Sequence, residues 1–350
     1  MIPVNAGSAG LMGCNDKTAV GSKPVTPTVV IVVDNSSSMF EPRDMLWDPL
    51  FNALMDRASG VVYPMQDKVR FGFASYKGVS PGKPEGDPAC ATITKVPIGI
   101  NNYDSIYDVY SDLGTVPLGK WETPTAHALN VVIKDLQADV QDPPGPKFIL
   151  LVTDGDPDTC AVPNQQCGQD LSIKAVQDAK AAGIGTLVIG VGDIIGPGCD
   201  TNATRCGQQH LQDLANAGQG LPVEPPPASY QYQQCVAQAG GALKSTYAEK
   251  AGGGAAQFFA AKGPAELKTA LSGLLNGVAS CTFDLDATVS GEPSFGTVLL
   301  GSQRLTYNDP NGWRLDNMHQ VTIQGAACDL FKVSGDPIAI SFPCEQVVPR

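Results

Sequence analysis

The chain has 350 residues, enough for one large domain or two unequal ones, and 43% of them are hydrophobic, so a sizeable core can form. Its formal net charge of −12, without a basic stripe to neutralise phosphates, argues against nucleic acid as a partner. Charged residues make up only 17%, while 38 glycines and 28 prolines predict many turns, which favours an extracytoplasmic protein over a cytosolic enzyme.

The N-terminal segment, residues 1–27, is rich in Gly, Ser and Pro and is predicted to be a leader or flexible tether. Within it, Leu11-Met12-Gly13-Cys14 resembles a bacterial lipobox, in which the cysteine is lipidated after cleavage. No basic residue precedes this segment, so a complete signal would need an earlier start than Met1. Two alternatives stay open: the ten cysteines form five disulfides, or Cys14 is lipidated and one of the other nine is odd.

The central part of the sequence alternates between strand and helix patterns. Residues 28–33 form a continuous β-branched run, which predicts a strand buried on both faces, as in a parallel sheet. Residues 77–119 contain Gly- and Pro-rich loops, and one or two strands are predicted near 92–100. Together these patterns predict an α/β fold over residues 28–280, a doubly wound, mostly parallel sheet flanked by helices. Further strands are predicted at 69–76, 148–153, 186–191 and 255–260, and helices at 44–58, from 123 onward, and at 172–182, 208–217 and 264–279.

The pattern changes at Cys281. Residues 281–350 show short alternating strands separated by turn signals, which predicts a small cysteine-containing all-β module. Its strands are expected at 282–285, 297–300, 321–323 and 338–342.

The ten cysteines indicate the compartment. The sequence contains no CxxC and only three histidines, so a zinc ribbon does not fit. Two close pairs, Cys160/Cys167 and Cys199/Cys206, lie in polar loop-like stretches and predict disulfides formed in an oxidising compartment. Buried free thiols are the alternative. No apolar run approaches the roughly 20 residues of a transmembrane helix, so we expect a secreted protein or one anchored to the bacterial cell envelope.

Polar side chains follow the buried strands in three places, and in an open α/β sheet the carboxyl ends of the strands form the ligand site. Two carboxylates and three hydroxyls are oxygen ligands that suit Mg²⁺ and suit Zn²⁺ poorly. The neutral hydroxyls also keep such a site from becoming too anionic. The three fragments are Asp34-x-Ser36-x-Ser38, Thr123-Pro124-Thr125 and Asp154-Gly155.

The DNSSSM, TPT and TDG segments resemble the three metal loops of the von Willebrand factor A family, over roughly residues 28–280. The resemblance implies a complete metal-ion-dependent adhesion site for Mg²⁺, or for Mn²⁺ or Ca²⁺. It also implies a protein ligand whose carboxylate completes the metal shell. Thr125 is a weaker candidate for the second loop, and Trp121 stands where many relatives have Gly. The implied metal ligands are Asp34, Ser36, Ser38, Thr123 and Asp154, the last often through water.

Three functional hypotheses follow. The first is cation-dependent adhesion by a bacterial secreted or lipoprotein-like member of the family. The second is a structural subunit of a surface appendage or envelope complex, in which the metal site docks a neighbouring subunit. The third, an enzyme, is not expected, because Ser36 and Ser38 have no adjacent base. A vestigial site kept only for hydrogen bonding is the alternative to a metal centre.

Overall fold

The structure is a computed structural model, and the chain divides in it into two units, Thr26–Ala279 and a second unit that joins residues 1–25 to 280–350. The seven helices of the described residues are α1 (Trp47–Met55), α2 (Tyr103–Asp112), α3 (Thr125–Ala138), α4 (Gln165–Ala181), α5 (Gly207–Gln219), α6 (Pro264–Val278) and α7 (Gly325–Ser334). The residues described are 17–40, 46–78, 91–114, 122–142, 144–154, 157, 165–192, 207–223, 254–261, 264–278, 280–334 and 336–350.

The strands of the same residues fall into two groups. Those of the unit Thr26–Ala279 are β3 (Thr28–Asp34), β4 (Arg70–Gly78), β5 (Ala91–Gly99), β6 (Lys147–Thr153), β7 (Ile184–Val191) and β8 (Phe259–Ala261). Those of the second unit are β1 (Lys17–Ala19), β2 (Ser22–Pro24), β9 (Thr282–Leu285), β10 (Ala287–Val289), β11 (Thr297–Leu300), β12 (Gln303–Leu305), β13 (Trp313–Asp316), β14 (Gln320–Ile323), β15 (Ile338–Pro343) and β16 (Val347–Pro349).

The unit Thr26–Ala279 is built on one six-stranded sheet with the order β5-β4-β3-β6-β7-β8. All neighbouring pairs are parallel except β4 and β5, which are antiparallel. The predicted fold class, a doubly wound and mostly parallel sheet flanked by helices, is confirmed. The chain adds β4 and β5 on one side of β3 and then returns to add β6 on the other. The carboxyl ends of β3 and β6 therefore meet at the topological switch point, where open α/β sheets bind ligands.

The sheet has a hydrophobic core on each face, as the unbroken apolar run of β3 predicts. Val29, Ile31 and Val33 pack on one face with α1, α2 and α6. Val30 and Val32 pack on the other face with α3, α4 and α5. Because successive strand residues point to opposite faces, a strand covered on both sides must be apolar at every position. All of these β3 residues are buried, so the strand is held rigidly up to its last residue.

Helix α2 lies in the region that the sequence patterns left without a helix. Its buried residues, Tyr103, Ile106 and Tyr110, recur at helical spacing and pack into the core beside α1. The surrounding Gly- and Pro-rich segments obscured this period, which covers only ten residues.

The second unit differs from the predicted all-β module in two ways. It contains the helix α7, and it includes part of the segment predicted as a leader or tether. Within residues 1–27, β1 pairs with β15 and β2 pairs with β9, both antiparallel. Residues 17–24 therefore contribute strands to this unit, whose core contains Phe283, Trp313 and Phe342. The Cys281–Cys328 disulfide joins the start of β9 to α7 across 47 residues of sequence.

The cysteines of the described residues are all oxidised. Besides Cys281–Cys328, both Cys167 and Cys344 are disulfide-bonded, and no free cysteine is found among the described residues. Of the two predicted pairs, only Cys167 is described; the cysteines at 160, 199 and 206 lie outside the described residues, as does Cys14. No helix in the described parts of the chain is both long enough and apolar enough to span a membrane.

Candidate metal centre

The first loop of the site is fixed directly after β3. Asp34 is the last residue of the strand and is fully buried. The backbone N–H of Ser36 donates to Asp34 Oδ1 at 2.8 Å, and the N–H of Asn35 donates to the carbonyl of Tyr76 at 2.9 Å. The first bond closes a tight turn around the carboxylate, and the second keeps Asn35 paired with β4. The following residues form a 3₁₀ turn that buries Phe40, while Ser38 remains exposed to solvent.

The end of β6 meets this loop from the neighbouring strand. The Thr153 hydroxyl donates to Asp34 Oδ2 at 2.7 Å. The Ser38 hydroxyl donates to Asp154 Oδ1 at 3.1 Å, and Ser38 Oγ lies 3.1 Å from Ser36 Oγ. One hydrogen-bonded cluster therefore contains four of the five predicted ligands, Asp34, Ser36, Ser38 and Asp154. Its longest link in sequence, between Ser38 and Asp154, spans 116 residues.

The two threonines of the second loop differ in how their hydroxyls are used. Thr125 Oγ1 lies 2.9 Å from Tyr76 OH and also donates to the Thr123 carbonyl at 3.4 Å. Thr123, which is buried, makes no side-chain hydrogen bond within the described residues. The Thr125 hydroxyl is already positioned by Tyr76, whereas the Thr123 hydroxyl is uncommitted among the described residues, which favours Thr123 as a ligand. Helix α3 begins one residue after Pro124, at Thr125.

Tyr76 connects the second loop to the first. It is the register partner of Asp34 in the parallel ladder between β3 and β4, and its side chain is fully buried. Its phenol lies 2.9 Å from Thr125 Oγ1 and close enough to Asp34 to lower the pKa of that carboxyl slightly against the larger effect of burial. Tyr76 therefore ties the loop that carries Thr123 to the buried acid at the centre of the cluster.

The two carboxylates of the cluster are close and buried, and no cationic side chain of the described residues pairs with them. Burial raises the pKa of Asp34 above its usual range. Burial, and secondarily the charge of Asp34, raises the pKa of Asp154 from 3.8 to about 7. Burial and then the Asp34 charge likewise raise the pKa of the Tyr76 phenol. No Lys, Arg or His of the described residues pairs with either acid.

This arrangement fits a divalent cation. Two like charges in a buried site are unfavourable unless a cation or protons compensate them. The donors are carboxylate and hydroxyl oxygens, the set that Mg²⁺, Mn²⁺ and Ca²⁺ prefer. No group of three or more His, Cys, Asp or Glu side chains suited to a metal occurs in the described parts of the chain. A cation here would therefore depend on the hydroxyls as much as on the acids.

The structure adds two residues that the sequence did not single out, Thr153 and Tyr76. Thr153 directly precedes Asp154, so its place at the end of the strand was readable from the sequence. The contribution of Tyr76 depends on the register between β3 and β4, which no local pattern encodes. Two residues of the sequence motifs, Trp121 and Gly155, lie outside the described residues.

Comparisons with known proteins agree with this fold. The family model described as von Willebrand factor type A domain matches residues 28–217. No curated protein matches the sequence. The pilus adhesin SpaC from Lactobacillus rhamnosus GG is a similar solved structure, with 13% identity and a TM-score of 0.45 over 91% of this chain and 39% of its own. This chain thus spans about two fifths of the SpaC structure.

Two further solved structures are similar and were determined with metal. Manganese-loaded TRAP protein of Plasmodium vivax shares 18% identity, with a TM-score of 0.39 over 64% of this chain and 76% of its own. Proximal thread matrix protein 1 from the mussel byssus, with a zinc-occupied MIDAS motif, shares 16% identity, with a TM-score of 0.40 over 76% of this chain and 51% of its own.

Proposed function

Because this chain belongs to the von Willebrand factor type A domain family, we propose that it binds a protein ligand through a divalent cation, as a secreted or cell-envelope adhesion protein. Mg²⁺ is the first candidate, and Mn²⁺ and Ca²⁺ have the same ligand preferences. When bound, the cation supplies a Lewis-acid position for a carboxylate of the partner. The residues proposed to hold it are Asp34, Ser36, Ser38, Thr123 and Asp154.

The observation that carries the proposal is the pair of buried acids, Asp34 and Asp154, which lie together at the switch point of the sheet with no basic partner among the described residues. A vestigial site would be expected to have lost one acid or gained a cationic side chain, because an uncompensated buried pair is destabilising. Instead, the only charged side chains in the cluster are the two acids, and hydroxyls supply its other side-chain oxygens.

The chain's own residues have distinct parts in this proposal. Asp34 is fixed from two sides, by the Ser36 N–H and the Thr153 hydroxyl, so its carboxylate is oriented before any ligand arrives. Ser38 is the exposed member of the cluster, so the partner would approach from its side. The buried threonine of the second loop, Thr123, has its hydroxyl available from the opposite loop.

The proposal is tested in two steps with the full chain. Isothermal titration with Mg²⁺ and Mn²⁺ should show one site, lost in Asp34→Ala and Asp154→Ala and retained in Asp104→Ala, a control at an exposed acid. Capture of surface proteins by the immobilised chain should then require the metal, be abolished by EDTA and fail with Asp34→Ala. Normal metal binding or normal capture by the two site variants would show that the proposal is wrong.

The same experiment separates adhesion from the structural-subunit alternative. If metal addition makes the purified chain self-associate in sedimentation experiments, and Asp34→Ala prevents this, the site docks a neighbouring copy rather than a foreign ligand. A monomer at all metal concentrations favours the adhesion proposal.

A further inference from the structure

A groove of about 440 Å³ lies between the C-terminal half of α1 and the first turns of α2. The metal loop precedes the first turn of α1, and the nine residues of this helix span about 13 Å. The groove is therefore at the end of the helix that is remote from the metal loop, and none of its residues belongs to the candidate metal centre. Its volume falls in the range of about 300–1,000 Å³ that is typical of small-molecule pockets.

Three of the residues that line the groove, Phe51, Tyr103 and Tyr107, are aromatic, and Tyr63 packs on Tyr103 beside them. The Tyr103 ring lies 5.1 Å from that of Tyr63 and 5.8 Å from that of Tyr107, and Tyr107 lies 5.5 Å from Phe51, measured between centroids. Tyr103 is buried, and its hydroxyl donates to the carbonyl of Met55, which fixes the central ring. Tyr107 is open to solvent, with 40% of its surface exposed, while the Arg57 guanidinium lies over the rings of Tyr63 and Tyr103. The aromatic surface is thus rigid at Tyr103 and accessible at Tyr107.

Polar groups with unused hydrogen-bonding capacity border these rings. Asp56 uses one oxygen, Oδ1, to accept from the Ala58 N–H and from both the N–H and the hydroxyl of Ser59. Its other oxygen has no hydrogen bond within the described residues, and neither does the exposed amide of Asn52. The residues that line the groove therefore offer both acceptors and donors as a polar rim beside the aromatic rings.

Arg57 completes this rim. Its guanidinium lies 4.8 Å from the centroid of the Tyr63 ring and 3.2 Å from Asp104 Oδ1. The two charged side chains are 63% and 82% exposed, and ion pairs this exposed contribute little to stability. Both groups can therefore turn to a ligand with little loss to the fold.

These groups select a ligand by its charge. A cation would meet the guanidinium of Arg57, which already occupies the face of an aromatic ring. An anion would meet the carboxylates of Asp56 and Asp104. A neutral sugar ring matches both features, because its C–H face packs on aromatic rings and each hydroxyl both donates and accepts a hydrogen bond. We propose that this groove binds a neutral saccharide, packed on Tyr107 and hydrogen-bonded by the rim.

The experiment is saturation-transfer NMR on the full chain with glucose, galactose, mannose and N-acetylglucosamine. Each sugar is titrated to about 20 mM, which would saturate a site with a Kd near 1 mM. We expect transfer to the C–H protons of at least one sugar. Tyr107→Ala should weaken its binding about fivefold or more, the loss expected when one aromatic packing partner is removed. Tyr107→Phe should retain the binding, since it keeps the ring.

Three controls make the result specific. Phe295→Ala removes an exposed aromatic side chain of the second unit, 58% exposed, and should leave binding unchanged. Asp34→Ala and added EDTA should also leave it unchanged, because the groove is separate from the metal loop. Failure of the metal-dependent adhesion proposal would therefore not affect this one.

Several results would overturn the proposal. These are no saturation transfer from any of the four sugars, equal binding by wild type and Tyr107→Ala, or loss of binding in EDTA. Tetramethylammonium serves as the cationic probe. If it binds in the groove and perturbs Tyr107 resonances while no sugar does, the site is a cation site and the saccharide assignment is wrong.

Discussion

Replacing Asp154 by Asn should have opposite effects on stability with and without metal. The substitution removes one of the two buried like charges of the cluster but keeps a side chain that can accept from Ser38. In metal-free buffer at pH 8 we expect Asp154→Asn to be at least as stable as wild type. With Mg²⁺ present, we expect wild type to be the more stable protein.

The size of the first effect follows from the pKa of Asp154. A rise from 3.8 to about 7 makes the charged form unfavourable in the folded protein by about 4 kcal/mol. The folded state then binds more protons than the unfolded state, so this destabilisation is absent below pH 3.8 and grows as the pH rises. It is complete only above about pH 7. An Asn still has to be buried, so a gain of about 1–3 kcal/mol at pH 8 is expected rather than the full amount.

The second effect follows from linkage. Mg²⁺ at about 100 times its Kd stabilises the folded protein by about 2.7 kcal/mol. For a unit of this size that raises the unfolding midpoint by roughly 5–10 °C. The variant should show little of this rise.

Differential scanning calorimetry in EDTA and in Mg²⁺ measures both effects, and Asp104→Asn, at an exposed acid, controls for net charge. The reasoning would be refuted if Asp154→Asn were clearly less stable than wild type in EDTA, or if Mg²⁺ raised its unfolding midpoint as much as it raises that of wild type.

Three further predictions concern the interactions around the site and in the second unit. Tyr76→Phe removes the hydroxyl that contacts Thr125 and should lower the free energy of unfolding, measured by calorimetry, by about 1 kcal/mol. It should also weaken Mg²⁺ binding, and an unchanged titration isotherm would contradict this. Asp139→Asn removes the negative charge and one of the two oxygens that accept from Arg70 at 2.7 Å, and it should cost about 2 kcal/mol at pH 7 in urea unfolding. Since Arg70 lowers the pKa of Asp139, wild type should lose this advantage as the pH falls through that lowered value, so the two proteins should converge in acid. Removing the Cys281–Cys328 disulfide by a double Ser substitution should destabilise the second unit by about 4 kcal/mol, as expected for a 47-residue loop. Equal unfolding midpoints for this variant and wild type would contradict the prediction.

The parts of the fold with strong local patterns were predictable. The run Thr28–Asp34 is apolar up to its final acid, which predicted both a buried parallel strand and a site at its end. Helix α3 and strand β6 were found for the same reason. Strands β1 and β2 were not, because three-residue strands have no period and their partners lie more than 250 residues away in sequence. Pairing over such a distance depends on tertiary packing rather than on local propensity.

The candidate site shows the same division. Its acids and serines stand in a compact motif, so the sequence predicted which residues to examine. The resemblance favoured Thr123 over Thr125 as the ligand of the second loop, and this assignment stays a prediction. The engagement of Thr125 with the Tyr76 phenol and of Thr153 with Asp34 depends on strand register, which becomes fixed only when the whole sheet forms.

The cluster combines residues from strand ends with residues from loops, and the two kinds differ in how freely they can move. Asp34 and Thr153 end neighbouring strands, β3 and β6, whose parallel register sets their separation independently of the loops. Ser38 and Thr123, by contrast, lie on loops, where a small backbone shift changes their reach. A change of metal from Mg²⁺ to the larger Ca²⁺ requires longer bonds, from about 2.1 to about 2.4 Å. Asp34 could not adjust without disturbing the two hydrophobic cores that hold β3, so the adjustment would have to come from the loop residues. Selectivity among cations should therefore respond to changes at Ser38 and Thr123 while the acids set overall affinity.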